Sequence, residues 1–176
     1  LIDLTQDIMD FPKAITGKME DVSLAVEDID IIIMNHMEPD HSGWLREFCK
    51  KNTKGVIYCT KKAVPLLEAF GGVPADRAVA ITDGMTLEVG DYELQFFETP
   101  NIHWPETMMT YEKNRKILFA CDAFGSYGKV ADDAVFDDQL SEEKHAFFEN
   151  EALRYYANIV STFSSFVLKG LTKLSG

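Results

Sequence analysis

Apolar residues along this chain fall into short blocks with one of two periods. Residues 29–34 (IDIIIM), 55–59 (GVIYC) and 78–81 are brief apolar runs rich in β-branched side chains, a pattern that predicts buried strands. Residues 86–89 and 92–98 form a further strand pair divided by Gly90-Asp91, a hairpin signal. Residues 107–111 and 116–121 flank Lys113-Asn114-Arg115 and predict a second hairpin. Helical spacing takes over elsewhere. From Ser42, a good N-cap, Leu45, Phe48 and Cys49 share one face. Residues 61–70 carry Pro65 near the first turn and are stopped by Gly71-Gly72. From Ser141 to about residue 174, Phe147, Ala152, Tyr155 and Ile159 recur at helical spacing behind an acidic start.

Strands and helices thus alternate, and the strands come as hairpins as well as crossovers. That excludes an all-parallel doubly wound sheet. It predicts an α/β (α+β) architecture of two mixed sheets packed face to face with helices outside. No repeat or low-complexity linker divides the chain, so residues 1–176 read as one domain. The opening LIDL reads as the tail of a buried strand without an initiator Met, and the chain stops after the amphipathic LTKLSG; both ends are expected to be truncated.

Composition narrows the partners. The 176 residues are 46% hydrophobic and 26% charged, which fits a soluble domain with a real core. A net charge of −12 argues against nucleic acid and anionic membrane as partners, since both are polyanions that need basic patches. No apolar run approaches the ~20 residues that span a bilayer, and the N-terminus lacks the layout of a signal peptide. Cys49, Cys59 and Cys121 are scattered without CxxC spacing, which fits reduced core thiols and a cytoplasmic location.

The candidate chemistry lies in NHMEPDH, residues 35–41. His36, Glu38, Asp40 and His41 follow the first strand, His103 follows the strand ending ETP, and Asp122 ends the strand KILFAC. Six metal-binding side chains therefore sit just past apolar strands, where a sheet can converge them on one point. In an extended loop alternate residues face the same way, so 36, 38 and 40 are expected to share a face while His41 serves a neighbouring ion. Three carboxylates crowd together without metal and repel. Two divalent ions nearly balance them, which favours a binuclear site bridged by Asp122. Imidazole and carboxylate without thiolate suit iron or manganese, whereas intrinsic affinity favours zinc over ferrous iron. His145, in SEEKHAFF, reads as a solvated helix residue. Trp104 either walls off the site, contacts a cofactor or packs in the core.

These motifs carry a resemblance. HMEPDHSG, NIHWPETMMTY and ILFACDAFGSYG together resemble the metallo-β-lactamase-like domain of flavodiiron proteins, and the likeness covers essentially the whole chain. The intervals from His41 to His103 and from His103 to Asp122 fit that family's pattern. The hydrolase branch carries H-x-H-x-D-H, whereas Glu38 holds the middle place here. The resemblance implies a four-layer αββα sandwich holding two irons. His36, Glu38 and His103 are expected on one iron, Asp40, His41 and a further histidine beyond this chain on the other, and Asp122 between them, with no catalytic residue beyond these ligands. It implies reduction of dioxygen to water, of nitric oxide to nitrous oxide, or both. Electrons are expected through FMN in a flavodoxin-like domain absent from this chain, in a homodimer or tetramer fed by a rubredoxin-like donor. A zinc-dependent hydrolase on the same fold is the alternative.

Overall fold

The structure is a computed structural model that describes residues 24–128 and 139–175. Three short strands, β1 (Ile31–Ile33), β2 (Val56–Thr60) and β3 (Ala78–Ile81), pair in that order, all parallel. Parallel neighbours need crossovers. These are supplied by the helices α1 (Pro39–Ser42), α2 (Leu45–Lys51) and α3 (Val64–Leu66, continued by a wider turn over Leu67–Gly71). Gly72 ends α3 in the left-handed region at φ 63°, the conformation that glycine adopts without a Cβ penalty. The opening LIDL lies outside the described residues.

Strands β4 (Thr86–Val89), β5 (Tyr92–Glu98), β6 (Met108–Glu112) and β7 (Ile117–Phe119) form a second, antiparallel sheet in chain order. Both predicted hairpins are present, turning at Gly90-Asp91 and after Glu112. Among the described residues each sheet is of one kind, parallel or antiparallel, where the sequence pattern led to an expectation of two mixed sheets. The physical reason is the connections: every link in the first sheet contains a helix, and in the second β4–β5 and β6–β7 are tight turns.

The sheets pack face to face. Ile81, Phe96 and Met108 are buried between them with Ile33, Tyr58 and Leu87 at their edge. Tyr58 of β2 stacks on Phe96 of β5 with ring centroids 6.1 Å apart. The alternate positions Ile32, Ile57 and Cys59 point the other way and meet Trp44, Leu45, Phe48, Ala63 and Leu67 from the helices. Burying each such large apolar side chain contributes about 1.5–3 kcal/mol. The three cysteines are thiols, and burial pushes that of Cys59 up to about 11.

On the antiparallel side lie α4 (Glu142–Tyr155) and α5 (Ser164–Leu174), joined through tighter and wider turns over residues 156–163. Ser141 caps α4, accepting from the Lys144 amide. Lys173 donates to the Glu98 carbonyl and pairs with Asp83, and Gly170 abuts Ile102. Helix, sheet, sheet, helix is the layer order expected. The predicted apolar stripe is only partly covered: Ala152, Tyr155 and Ile159 are half-buried, whereas Phe147 is exposed.

Candidate metal centre

The strand directions bring the site together. Two antiparallel steps, β5 to β6 and β6 to β7, restore direction, so β5 and β7 end at the same edge of their sheet. The exit of β1 meets that edge: Met108 at the start of β6 donates its amide to the Asn35 carbonyl. The Asn35 side chain ties the junction further, donating to the Phe119 carbonyl and accepting from the Thr110 hydroxyl. The β1, β5 and β7 exits carry all six predicted ligands.

Four of the six converge tightly. Ligand atoms of His36, Glu38, His103 and Asp122 all lie within 4.8 Å of one another. Glu38 Oε2 stands 3.2 Å from His36 Nε2 and 3.2 Å from His103 Nε2. Asp122 Oδ2 stands 3.3 Å from each of the same two nitrogens. Donors held about 2.1 Å from one ion are spaced about 3.0–3.4 Å apart, so these edges are those of a coordination shell.

The other oxygen of Asp122 faces elsewhere. Oδ1 lies 2.9 Å from His41 Nε2, and Asp40 Oδ2 is 3.7 Å from the same nitrogen. The His41–Asp122 pair is close yet not aligned as a hydrogen bond, and both His41 ring nitrogens and Asp40 Oδ1 are buried without a hydrogen-bond partner among the described residues. Buried polar atoms rarely go unmatched. Asp40 and His41 thus stand beside the four-residue group, facing Asp122 with polar atoms unmatched among the described residues.

The way Asp40 and His41 reach the site differs from the sequence expectation. Pro39 does keep Glu38 extended, at ψ 143°, but it also starts a helical turn, so α1 begins at Pro39 and not at Ser42. Asp40 and His41 are therefore helical, and strict alternation through 36, 38 and 40 does not hold. Asp122 likewise lies in the turn after β7, following Cys121 at φ 52°. The left-handed residue reverses the chain and swings the Asp122 carboxylate inward.

Charge follows the geometry. Burial acts to lower the His36 imidazole, but Asp122 and Glu106 outweigh it and hold it up at about 9. His41 is raised in the same way, against its burial, chiefly by Asp122. Burial acts to raise Asp122, but His36 and His41 hold its carboxyl well below the usual carboxylate range. The carboxylates thus favour the charged form of both histidines, as neighbouring opposite charges do.

Three neighbours went unforeseen. Glu106 is buried and accepts from His36 Nδ1 at 2.8 Å. Trp44 donates its indole N–H to the His41 carbonyl at 2.7 Å. Tyr155 is half-buried beside Gly125, and its phenol is pushed well above its ordinary value by burial and then by Asp122 and Glu38. Trp104 stands edge-on to His36 with centroids 5.4 Å apart, walling one side of the ring. His145 pairs with Glu149 on the surface of α4, as a solvated helix residue does.

Known proteins resemble this chain in sequence and fold. Residues 1–164 match the family model described as ODP family beta lactamase. The chain is 39% identical over 150 residues to the anaerobic nitric oxide reductase flavorubredoxin of Salmonella typhi, covering 85% of this chain and 30% of that protein. The flavodiiron protein from Giardia intestinalis superimposes with a TM-score of 0.83 at 29% identity, over 94% of this chain and 39% of that one. A flavoprotein from Thermotoga maritima does so with a TM-score of 0.79 at 30% identity, over 95% and 39%. With its fold, its motifs and its relatives in agreement, the chain belongs to the ODP family beta lactamase group and is a metallo-β-lactamase-like domain of the flavodiiron type.

Proposed function

We propose that this domain holds two irons and serves a flavodiiron oxidoreductase that reduces nitric oxide to nitrous oxide, dioxygen to water, or both. His36, Glu38 and His103 would hold one ion and Asp40 and His41 the other, with Asp122 facing both sets. The observation that carries this reading is the division of Asp122, with Oδ2 toward His36 and His103 and Oδ1 toward His41. A carboxylate turned to two histidine sets is suited to serving two ions at once. The relative named as a nitric oxide reductase, and Glu38 in the place where the hydrolase branch has histidine, favour redox chemistry over zinc-dependent hydrolysis.

When bound, a ferrous pair supplies two electrons at once and two adjacent positions for small diatomic molecules. Two nitric oxide molecules, two electrons and two protons give nitrous oxide and water; dioxygen takes four electrons and four protons to two waters. The chain's residues hold and orient. Their carboxylates favour the oxidised metal charge, and Trp104 limits water on one side of His36. The chain spans 30% of the length of the Salmonella relative. We place residues 1–176 as the metal domain, with electrons arriving through FMN on a flavodoxin-like domain of the parent protein from a rubredoxin-like donor. A homodimer or tetramer brings flavin and metal together. No helix among the described residues is long and apolar enough to cross a membrane.

The test is anaerobic purification of the parent protein, metal analysis and turnover with nitric oxide and with dioxygen. Two irons per chain and consumption of either gas are expected. Two zincs with hydrolytic turnover, or no bound metal, overturn the reading.

A further inference from the structure

Glu106 has no place among the six ligands, yet it is the most enclosed carboxylate beside them. Its side chain is 1% exposed, and Oε1 alone carries two bonds: His36 Nδ1 at 2.8 Å and the Met37 amide at 3.0 Å. Oε2 is buried without a partner among the described residues. An unmatched carboxylate oxygen in the interior opposes folding, so stability alone gives a poor account of this residue.

The rest of its loop is anchored. The Glu106 carbonyl accepts from Thr60 at the end of β2 at 2.8 Å, and Thr107 fills the turn by bonding to the Thr99 and Trp104 carbonyls. Glu106 stands three residues after His103, in the same loop, and reaches back to His36 and Met37 in the other. One carboxylate therefore clips the two histidine-bearing loops together.

We infer that Glu106 is a positioning residue for the metal centre: by accepting from both His36 Nδ1 and the Met37 amide, it fixes the His36 ring with Nε2 toward the metal and sets the spacing of the His36 and His103 loops. An ionised carboxylate only accepts, so in the contact with Oε1 the imidazole Nδ1 is the donor. His36 then carries its proton on Nδ1, which leaves the Nε2 lone pair for coordination. Partners of this kind also raise the donor strength of the imidazole, and their loss weakens metal binding about ten- to a hundredfold.

This inference rests on the metal reading above, and the experiment separates the two. In the parent protein, metal is removed and cobalt(II) is titrated against a competing chelator, for wild type, Glu106→Gln and Glu106→Leu. Readouts are affinity, the cobalt visible spectrum, and the thermal midpoint of the metal-free protein, with far-UV circular dichroism as a check on folding. Gln keeps an acceptor of the same shape but loses the charge, whereas Leu loses the acceptor. The expected result is a graded one: affinity falls severalfold in Glu106→Gln and about ten- to a hundredfold in Glu106→Leu, with a changed cobalt spectrum in both. Wild-type affinity and spectrum in folded Glu106→Gln and Glu106→Leu overturn the positioning role while leaving the metal reading intact. A lowered thermal midpoint with unchanged affinity and spectrum overturns it too, because that is what a purely structural residue gives. Should wild type itself take up no cobalt, the metal reading fails first.

Discussion

The imidazoles of His36 and His103 stand edge to face, 5.5 Å between centroids and 75° between planes, and each presents Nε2 to the same oxygen of Asp122 at 3.3 Å. One histidine comes from the parallel sheet and the other from the antiparallel one. Asp122 is where the two sheets' contributions are joined.

Replacing Asp122 with Ala should therefore do more than delete one ligand. It removes the group facing His36, His41 and His103 together and leaves two like-charged ions unscreened. Metal content in the parent protein is expected to fall from two ions to one or none, with activity lost by more than about a hundredfold. Metal analysis paired with gas-consumption assays checks this, and retained turnover would contradict the bridging role.

Stability of the metal-free protein should fall at both ends of the pH scale. His36 is held at about 9, above its unfolded value of about 6.5, so its contribution is fully present below that value and is lost as pH rises through 9. Asp122 and Glu106 are lowered, so theirs is present above about pH 4 and is lost in more acid solution. Thermal midpoints between pH 3 and pH 10, in roughly unit steps, should trace a plateau near pH 5–6.5 with decline on both sides. Bound metal should erase the alkaline decline, since the ion takes the place of the His36 proton.

Asn52 offers a control remote from the metal. It is fully buried, donates to the Val26 and Ile29 carbonyls at 2.8 and 2.7 Å, and accepts from the Gly55 amide and Arg77. Asn52→Ala leaves buried backbone groups unmatched and should cost about 2–4 kcal/mol by urea unfolding. Metal affinity of the folded fraction should stay at the wild-type level.

Gly125 tests packing near the site. A Cβ there would meet the Tyr155 ring at 2.8 Å, against an aromatic edge that cannot bend away. Gly125→Ala should cost about 1–3 kcal/mol through overpacking. The pairing of Gly125→Ala with Tyr155→Leu, which opens space at the ring, should recover part of that loss in a double-mutant cycle.

What was legible in the chain was whatever short-range pattern could express. Gly90-Asp91 announced its hairpin, Gly71-Gly72 ended its helix, and of the six candidate ligands at strand exits His36, Glu38, His103 and Asp122 come together. The start of α1 was misread because Pro39 carries two messages, barring helical geometry before itself and favouring a helix after. Ser42 turned out not to cap that helix but to lie inside it, its hydroxyl bonded to the Met37 and Glu38 carbonyls. Glu106 left no trace at all. Its partner His36 is 70 positions away, and a glutamate in a WPET loop has the look of surface charge. Nor does helical spacing reveal that Phe147 stays exposed, because periodicity reports a face and not what lies opposite it.

The meeting of the two sheets at the proposed metal site has a mechanical consequence. Of the six proposed ligands four follow β1 of one sheet and two follow β5 and β7 of the other, while Tyr58 and Phe96 hold the layers together further in. Ions seated there act as rivets across the seam, so that sliding one layer against the other means breaking coordination bonds. The loaded protein should accordingly resist pulling apart as a single block, and the stripped one should part along that seam first.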